Sequence, residues 1–202
     1  VPTARRFFGR IRGVTADEQS ARRDRMCAAP IMIVGAPRSG TTWIQRLLLA
    51  DERCCGGQES HFFVTFGRVL HDFDDKASRE RRHGLACYWS RAAFLAEIAG
   101  VWRRTMTPTI DAAPGSSLLI EKTPDHATCL NVIAEILPGA RYVHVVRDSR
   151  AVCASLLAAG RASWGRGWAP QTVEHAIEIW TTHVDAAAAF DGAMHAVRYE
   201  DV

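Results

Sequence analysis

Short apolar runs alternate with amphipathic stretches along this chain, and that alternation sets the first picture of it. Ile31, Met32, Ile33 and Val34 form a run of strand formers between Pro30 and Gly35, which predicts a buried strand. Beyond Gly40 the period changes, and Trp43, Leu47 and Leu48 recur at helical spacing over 41–50. Leu118 to Ile120 predicts a second core strand. Thr123 then caps a helix with Pro124 at its first position, running to Leu137, where Pro138-Gly139 stops it. Tyr142 to Val146 is a third strand, and Arg147-Asp148-Ser149 opens a helix carrying Ala151, Val152 and Leu156. Residues 171–190 read as one long helix with Val173, Ile177, Trp180 and Val184 on one face, and His195 to Tyr199 as a last strand. This order predicts an α/β fold in which helical crossovers join parallel strands and ligands sit at the strands' carboxyl ends.

Two stretches break the pattern. Residues 64–105 mix acids, aromatics and arginines, among them Asp72, Tyr88, Arg81, Arg82 and Trp102. They read as an insertion of loops and helices that covers the site and shapes acceptor choice. Residues 160–170 hold Trp164 and Trp168 among glycines and predict a mobile loop.

At 202 residues the length suits one domain with small appendages, and 48% hydrophobic with 23% charged residues is a globular composition. No apolar run nears the roughly 20 residues of a membrane helix, so no span is expected. The net charge of +3 is carried by residues 1–25, where Arg5, Arg6, Arg10 and Arg12 head an arginine-rich segment. The remainder is close to neutral, which excludes a generally basic nucleic-acid surface. Residues 1–29 are therefore expected to be a basic N-terminal arm, solvated and flexible, ahead of a domain over 30–202. Six cysteines without metal-ligand spacing predict no metal site, and Cys129 and Cys153 read as buried reduced thiols. A reducing, cytoplasmic setting follows as the expectation.

The chemistry is concentrated in Gly35-Ala36-Pro37-Arg38-Ser39-Gly40-Thr41-Thr42, between a strand and a helix. Backbone amides of such a loop, with the positive end of a helix behind them, cradle an anion, and the hydroxyls of Ser39, Thr41 and Thr42 add donors. A Walker A loop would place lysine where Thr41 stands, which argues against a standard nucleoside-triphosphate enzyme. Farther on, Arg147 at a strand end is followed eight residues later by Ser155. Two helical turns separate them, so both can grip one phosphate; an ion pair of Arg147 with Asp148 is the structural alternative.

Pro37-Arg38-Ser39-Gly40-Thr41-Thr42-Trp43 resembles the loop by which sulfotransferases hold the 5′-phosphosulfate of 3′-phosphoadenosine 5′-phosphosulfate (PAPS), and Arg147 with Ser155 resembles that family's 3′-phosphate motif. The resemblance runs from about Pro30 to Arg198-Tyr199-Glu200-Asp201-Val202, similar to the Y-E-D-L that closes a core strand. Relatives continue past this point, so it implies a missing C-terminal part. Gln58-Glu59-Ser60-His61-Phe62-Phe63 resembles the K-E-P-H-F-F of glycosaminoglycan sulfotransferases, and Glu121-Lys122-Thr123-Pro124 their E-K-[ST]-P. The cytosolic aryl and steroid enzymes instead use a histidine within K-T-H, where this chain has Pro124; His126 then reads as a surface or capping histidine.

The resemblance implies a P-loop NTPase-like sulfotransferase core, a three-layer parallel sheet with flanking helices. It implies Glu59 as base toward a hydroxyl or amine acceptor, carbohydrate or another small aliphatic alcohol, with Arg38 and Lys122 offsetting charge on the sulfuryl group. Arg38, Ser39, Gly40, Thr41, Thr42, Trp43, Arg147 and Ser155 would bind PAPS and, after transfer, 3′-phosphoadenosine 5′-phosphate (PAP). The residues leave three alternatives open. One is a kinase or nucleotide hydrolase with Asp148 or Glu121 orienting magnesium, one a nucleotide-binding or partner-binding module without catalysis, and one polyanion binding by the N-terminal arginines.

Overall fold

The computed structural model describes residues 15–79 and 83–202, so Arg5, Arg6, Arg10, Arg12, Arg81 and Arg82 lie outside the described residues. Strands β1 (Ile31–Gly35), β2 (Cys54–Gly56), β3 (Leu118–Lys122), β4 (Arg141–Val146) and β5 (Met194–Arg198) form a parallel sheet in the order β2-β3-β1-β4-β5. β1 is central, pairing Ile33 with Lys122 on one side and with Val143 on the other. Its Met32, Ile33 and Val34 are fully buried, as a strand covered on both faces requires. The three-residue β2 is too short to stand out in the sequence, and the other strands lie where the apolar runs predict them.

Helix α1 (Ala16–Ala28) occupies the latter half of the expected arm and is docked, not free. Thr15 and Glu18 close a capping box at its start, Met26 and Cys27 are buried, and Arg22 donates to the carbonyls of Ser116 (2.8 Å) and Ile110 (3.3 Å). Helix α2 (Thr41–Leu48) turns Ile44 and Gln45 inward and leaves Trp43 and Leu47 exposed, so its buried face is not the one its large apolar residues predict. The insertion resolves into α3 (Phe62–Ser78), a 3₁₀ turn (Gly84–Cys87) and α4 (Arg91–Asp111). Phe62, Phe63, Phe94 and Trp102 of these helices join the main core, and the Trp102 indole donates to the Cys27 carbonyl at 3.0 Å. These helices thus extend the main core as a second layer.

The helix expected from Thr123 divides into a 3₁₀ turn (Pro124–Cys129) and α5 (Leu130–Ile136). In the tighter winding Asp125 reaches a cavity while His126 is fully buried. Helix α6 (Ser149–Arg161) is capped by the Asp148 side chain, and α7 (Val173–Ala188) packs on both α6 and the 3₁₀ turn. α7 buries Ala176, His183 and Ala187, whereas Val173 and Ile177, predicted to share its apolar face, are exposed. Cys153 is buried and Cys129 half-buried. Among the described residues no helix is long and apolar enough to cross a membrane.

Candidate active site

β1 ends at Gly35, where a Cβ would come within 2.5 Å of the Val145 carbonyl oxygen on β4. The loop that follows is wound tightly enough for the Ser39 amide to donate to the Ala36 carbonyl at 3.1 Å, and Arg38 takes a left-handed conformation with φ 73°. Gly40, at φ 99°, is the N-cap of α2, and no side chain caps that helix. The first amides of α2 have no acceptor within the helix, so the loop presents donors and the helix's positive end to whatever lies in front of it.

Two arginines converge on that loop. Arg38 donates through Nε to Ser155 Oγ at 3.1 Å, and its guanidinium lies 5.5 Å from the Trp164 ring. Arg147 donates to the Arg38 carbonyl at 3.3 Å and lies over the Tyr199 ring at 4.3 Å. Neither meets a carboxylate among the described residues. Asp148, the sequence-level partner for Arg147, pairs instead with Arg150 at 3.0 Å, and its amide donates to Glu200 at 2.9 Å. Tyr199 and Glu200 belong to a 3₁₀ turn (Tyr199–Asp201) after β5, and the Tyr199 ring occupies the space a Cβ on Gly40 would need. The terminal Tyr-Glu-Asp motif therefore braces both the loop and Arg147.

Across from this cradle, the segment between β2 and α3 carries Glu59 and His61. Glu59 forms an ion pair with Lys122, which is nearly buried at the end of β3. His61 has φ 48°, a second left-handed residue outside glycine, and its ring lies between Glu59 (3.5 Å) and Asp125 (3.6 Å). The segment is fastened to β3 from below. Ser60 Oγ and Thr123 Oγ1 each donate to Glu121 at 2.7 Å, and the Ser60 amide donates to Thr123 Oγ1 at 3.1 Å. Burial pushes the Glu121 carboxyl up, but these donors together with His126 outweigh it and hold it below the ordinary range.

His126 is not the surface or capping residue expected of it. It is fully buried, accepts the Phe63 amide through Nε2 at 3.2 Å and meets Glu121 through Nδ1 at 2.9 Å. Because Nε2 accepts, the proton is on Nδ1 and both nitrogens are occupied.

The two sides face each other across a cavity of about 720 Å³. Of the residues singled out in the sequence, Arg38, Gly40, Thr41, Thr42, Glu59, Arg147 and Ser155 line it. Lys122 reaches it through Glu59. Ser39 and Trp43 do not line it: Ser39 is buried with its hydroxyl unpartnered beside Gly35, and Trp43 is half exposed. The sequence reading missed Asp125 and His183, which join at 3.0 Å from positions 58 apart, a separation no local pattern reveals. His183 and burial compete at Asp125, and the His183 hydrogen bond wins, holding the carboxyl below its ordinary range. Trp168 from the loop after α6 and Ile179 from α7 complete an apolar wall.

Comparison with known proteins identifies the fold and the family. The chain is 28% identical to the nodulation protein NoeE of Sinorhizobium fredii, over 66% of this chain and 31% of that protein. It is 27% identical to the omega-hydroxy-beta-dihydromenaquinone-9 sulfotransferase Stf3 of Mycobacterium bovis, over 63% of this chain and 44% of that one. The chain thus spans less than half the length of these relatives. Its fold matches the sulfotransferase STF1 of Mycobacterium tuberculosis with a TM-score of 0.56 at 17% identity, covering 92% of this chain and 66% of that one. The sulfotransferase domain of the curacin biosynthetic pathway matches with a TM-score of 0.52, also at 17% identity, over 86% of this chain and 68% of that one. A family model described as sulfotransferase family matches residues 30–202, all five strands and the whole cavity, and the chain belongs to that family.

Proposed function

We propose that this chain transfers a sulfuryl group from PAPS to an aliphatic hydroxyl or amine of a small-molecule or glycan acceptor. The observation that carries this reading is the pair Arg38 and Arg147. Both line the cavity, neither is neutralised by an acid among the described residues, and the uncapped first turn of α2 and the Ser155 hydroxyl line it with them. A cavity with two unspent guanidinium groups fits a ligand with phosphates at both ends.

The residues present fit PAPS. Thr41, Thr42 and the α2 amides would hold the 5′ end, with Arg147 and Ser155 at the 3′-phosphate. PAPS supplies the sulfuryl group and departs as PAP. Glu59 is placed to take the acceptor proton, since its side chain reaches the cavity while the rest of its segment is pinned to β3. Lys122 pairs with Glu59 beforehand and, with Arg38, would offset negative charge during transfer. Stf3, whose name carries an omega-hydroxy acceptor, supports an aliphatic alcohol for this chain too. The magnesium-dependent alternative needs Asp148 or Glu121 free; the first caps α6 and pairs with Arg150, and the second is buried among Ser60, Thr123 and His126.

The test is binding of PAP, ADP and ATP with and without magnesium. PAP should bind at least about tenfold more tightly than ADP, without metal, because a charge-assisted pair to the 3′-phosphate contributes about 1.5 to 3 kcal/mol. Equal affinities for PAP and ADP would overturn the assignment.

A further inference from the structure

Lys122, Glu59, His61, Asp125 and His183 form a continuous row along one side of the cavity, and only its first two members have a role so far. His183 holds the far end. Its Nδ1 lies 2.7 Å from the Ile179 carbonyl and its Nε2 lies 3.0 Å from Asp125 Oδ1. The contact joins a nearly buried ring to a half-exposed carboxylate, and it holds the Asp125 carboxyl below its ordinary range with the second oxygen, Oδ2, toward His61 Nδ1. At the near end Lys122 pairs with Glu59, whose Oε2 lies toward His61 Nε2. The His61 ring thus sits between two carboxylates, each held from its far side.

His61 is held at its centre against its backbone preference. A left-handed conformation is costly for any residue with a Cβ and marks functional positions when the surroundings enforce it. Here Thr123 Oγ1 accepts the amides of Ser60 and His61 at 3.1 and 3.4 Å, and His126 accepts that of Phe63. The side chain itself is 49% exposed, so it touches solvent as well as both carboxylates.

We propose that His61 is a proton-relay residue: it takes from Glu59 the proton that Glu59 removes from the acceptor, and releases it to water. The inference rests on the sulfuryl-transfer reading above. As the acceptor oxygen bonds to sulfur and the bond from sulfur to the PAP phosphate oxygen breaks, the acceptor proton passes to Glu59 Oε2. Glu59 is then neutral and no longer balances Lys122. The proton moves on to His61 Nε2, whose Nδ1–H faces Asp125, and Glu59 returns to the carboxylate that Lys122 holds. Loss of the proton from the imidazolium to water resets the row. The charged groups facing His61 are Glu59 from its own segment and Asp125 from the 3₁₀ turn, backed by Lys122 of β3 and His183 of α7. Asp125 and His183 are positioning residues in this scheme.

The experiment uses His61→Gly, because glycine takes φ 48° without strain and leaves room for free imidazole, and His61→Asn, which tolerates that backbone but cannot carry the proton. PAP release from PAPS is measured with octyl glucoside, octanol and octylamine as probe acceptors. His61→Gly and His61→Asn should both lower turnover by about 10², with PAP affinity within about twofold of the unaltered chain. Millimolar imidazole should restore at least about a tenth of the rate to His61→Gly, following its unprotonated fraction as pH is varied. The relay is overturned if His61→Gly keeps its turnover, if imidazole leaves the slow variant unchanged, or if His61→Asn is as fast as the unaltered chain. A slow Glu59→Gln beside a fully active His61→Gly would remove the relay and keep the sulfuryl-transfer reading. If the unaltered chain binds PAP and releases none from PAPS with all three acceptors, that reading falls and takes the relay with it.

Discussion

Alanine at Gly40 separates the two jobs this glycine does. The first is conformational: at φ 99° any residue with a Cβ is strained, by about 1 to 3 kcal/mol. The second is steric, because the new methyl group would fall inside the Tyr199 ring and displace it from beneath the Arg147 guanidinium. Losing that cation–π contact at a half-exposed site adds about 0.5 to 1 kcal/mol, and the lost ring packing a similar amount. Gly40→Ala should therefore destabilise the folded chain by about 2 to 5 kcal/mol, and weaken PAP binding because Arg147 is no longer held toward the loop. In a Tyr199→Ala background only the backbone strain remains. A double-mutant cycle in urea should then return a coupling of about 1 kcal/mol, above the roughly 0.3 to 0.5 kcal/mol within which independent sites add. Calorimetric PAP titrations of the same four proteins give the matching coupling in affinity. If Gly40→Ala costs the same in both backgrounds, Tyr199 does not press on the loop and the bracing role of the terminal motif is wrong.

Arg147→Ala should weaken PAP binding by about 10- to 100-fold while costing the fold no more than about 1 to 2 kcal/mol, since among the described residues the guanidinium touches only a carbonyl and a ring face; simple unfolding would show that Arg147 is structural. Glu59→Gln should lower PAP release from PAPS by about 10² to 10⁴ with PAP affinity little changed, and near-normal turnover would remove Glu59 as the base. His126→Ala should cost about 1 to 3 kcal/mol of stability, because it leaves the Phe63 amide unpaired and takes one of its donors from the buried Glu121; a change under about 0.5 kcal/mol in urea denaturation would contradict that role. Asp125 and Glu121 both have depressed carboxyls in the fold, so their stabilisation is complete above the unfolded carboxylate range and drains away as pH falls below about 4. Asp125→Asn should flatten that acid limb in a series of melts across pH, and an unchanged limb would show that the His183 pair contributes nothing.

The sequence by itself determined the order of four of the five strands and the strand–loop–helix turn after β1. Both are local: a buried parallel strand is a short apolar run, and the loop from Gly35 to Thr42 is contiguous with the helix that polarises it. Arg147 and Ser155 lie on one strand–helix unit as read and both line the cavity, but Ser155 meets Arg38 and not Arg147, a contact that no local spacing announces. What lay beyond local patterning was misread or missed. The apolar faces predicted for α2 and α7 put Trp43, Val173 and Ile177 inward, where the fold buries Ile44 and Ala176 instead, because small residues let helices approach and the neighbouring layer chooses the side. His126 looked peripheral since nothing nearby in the chain announces that Phe63 and Glu121 close around it. The row from Lys122 to His183 draws on β3, the Glu59 segment, a 3₁₀ turn and α7, and Tyr199 reaches Gly40 from the end of β5. Apart from Glu59 and His61, these contacts join residues 58 to more than 100 positions apart, and only the packing of helices against the sheet brings them within the few ångströms over which ion pairing operates.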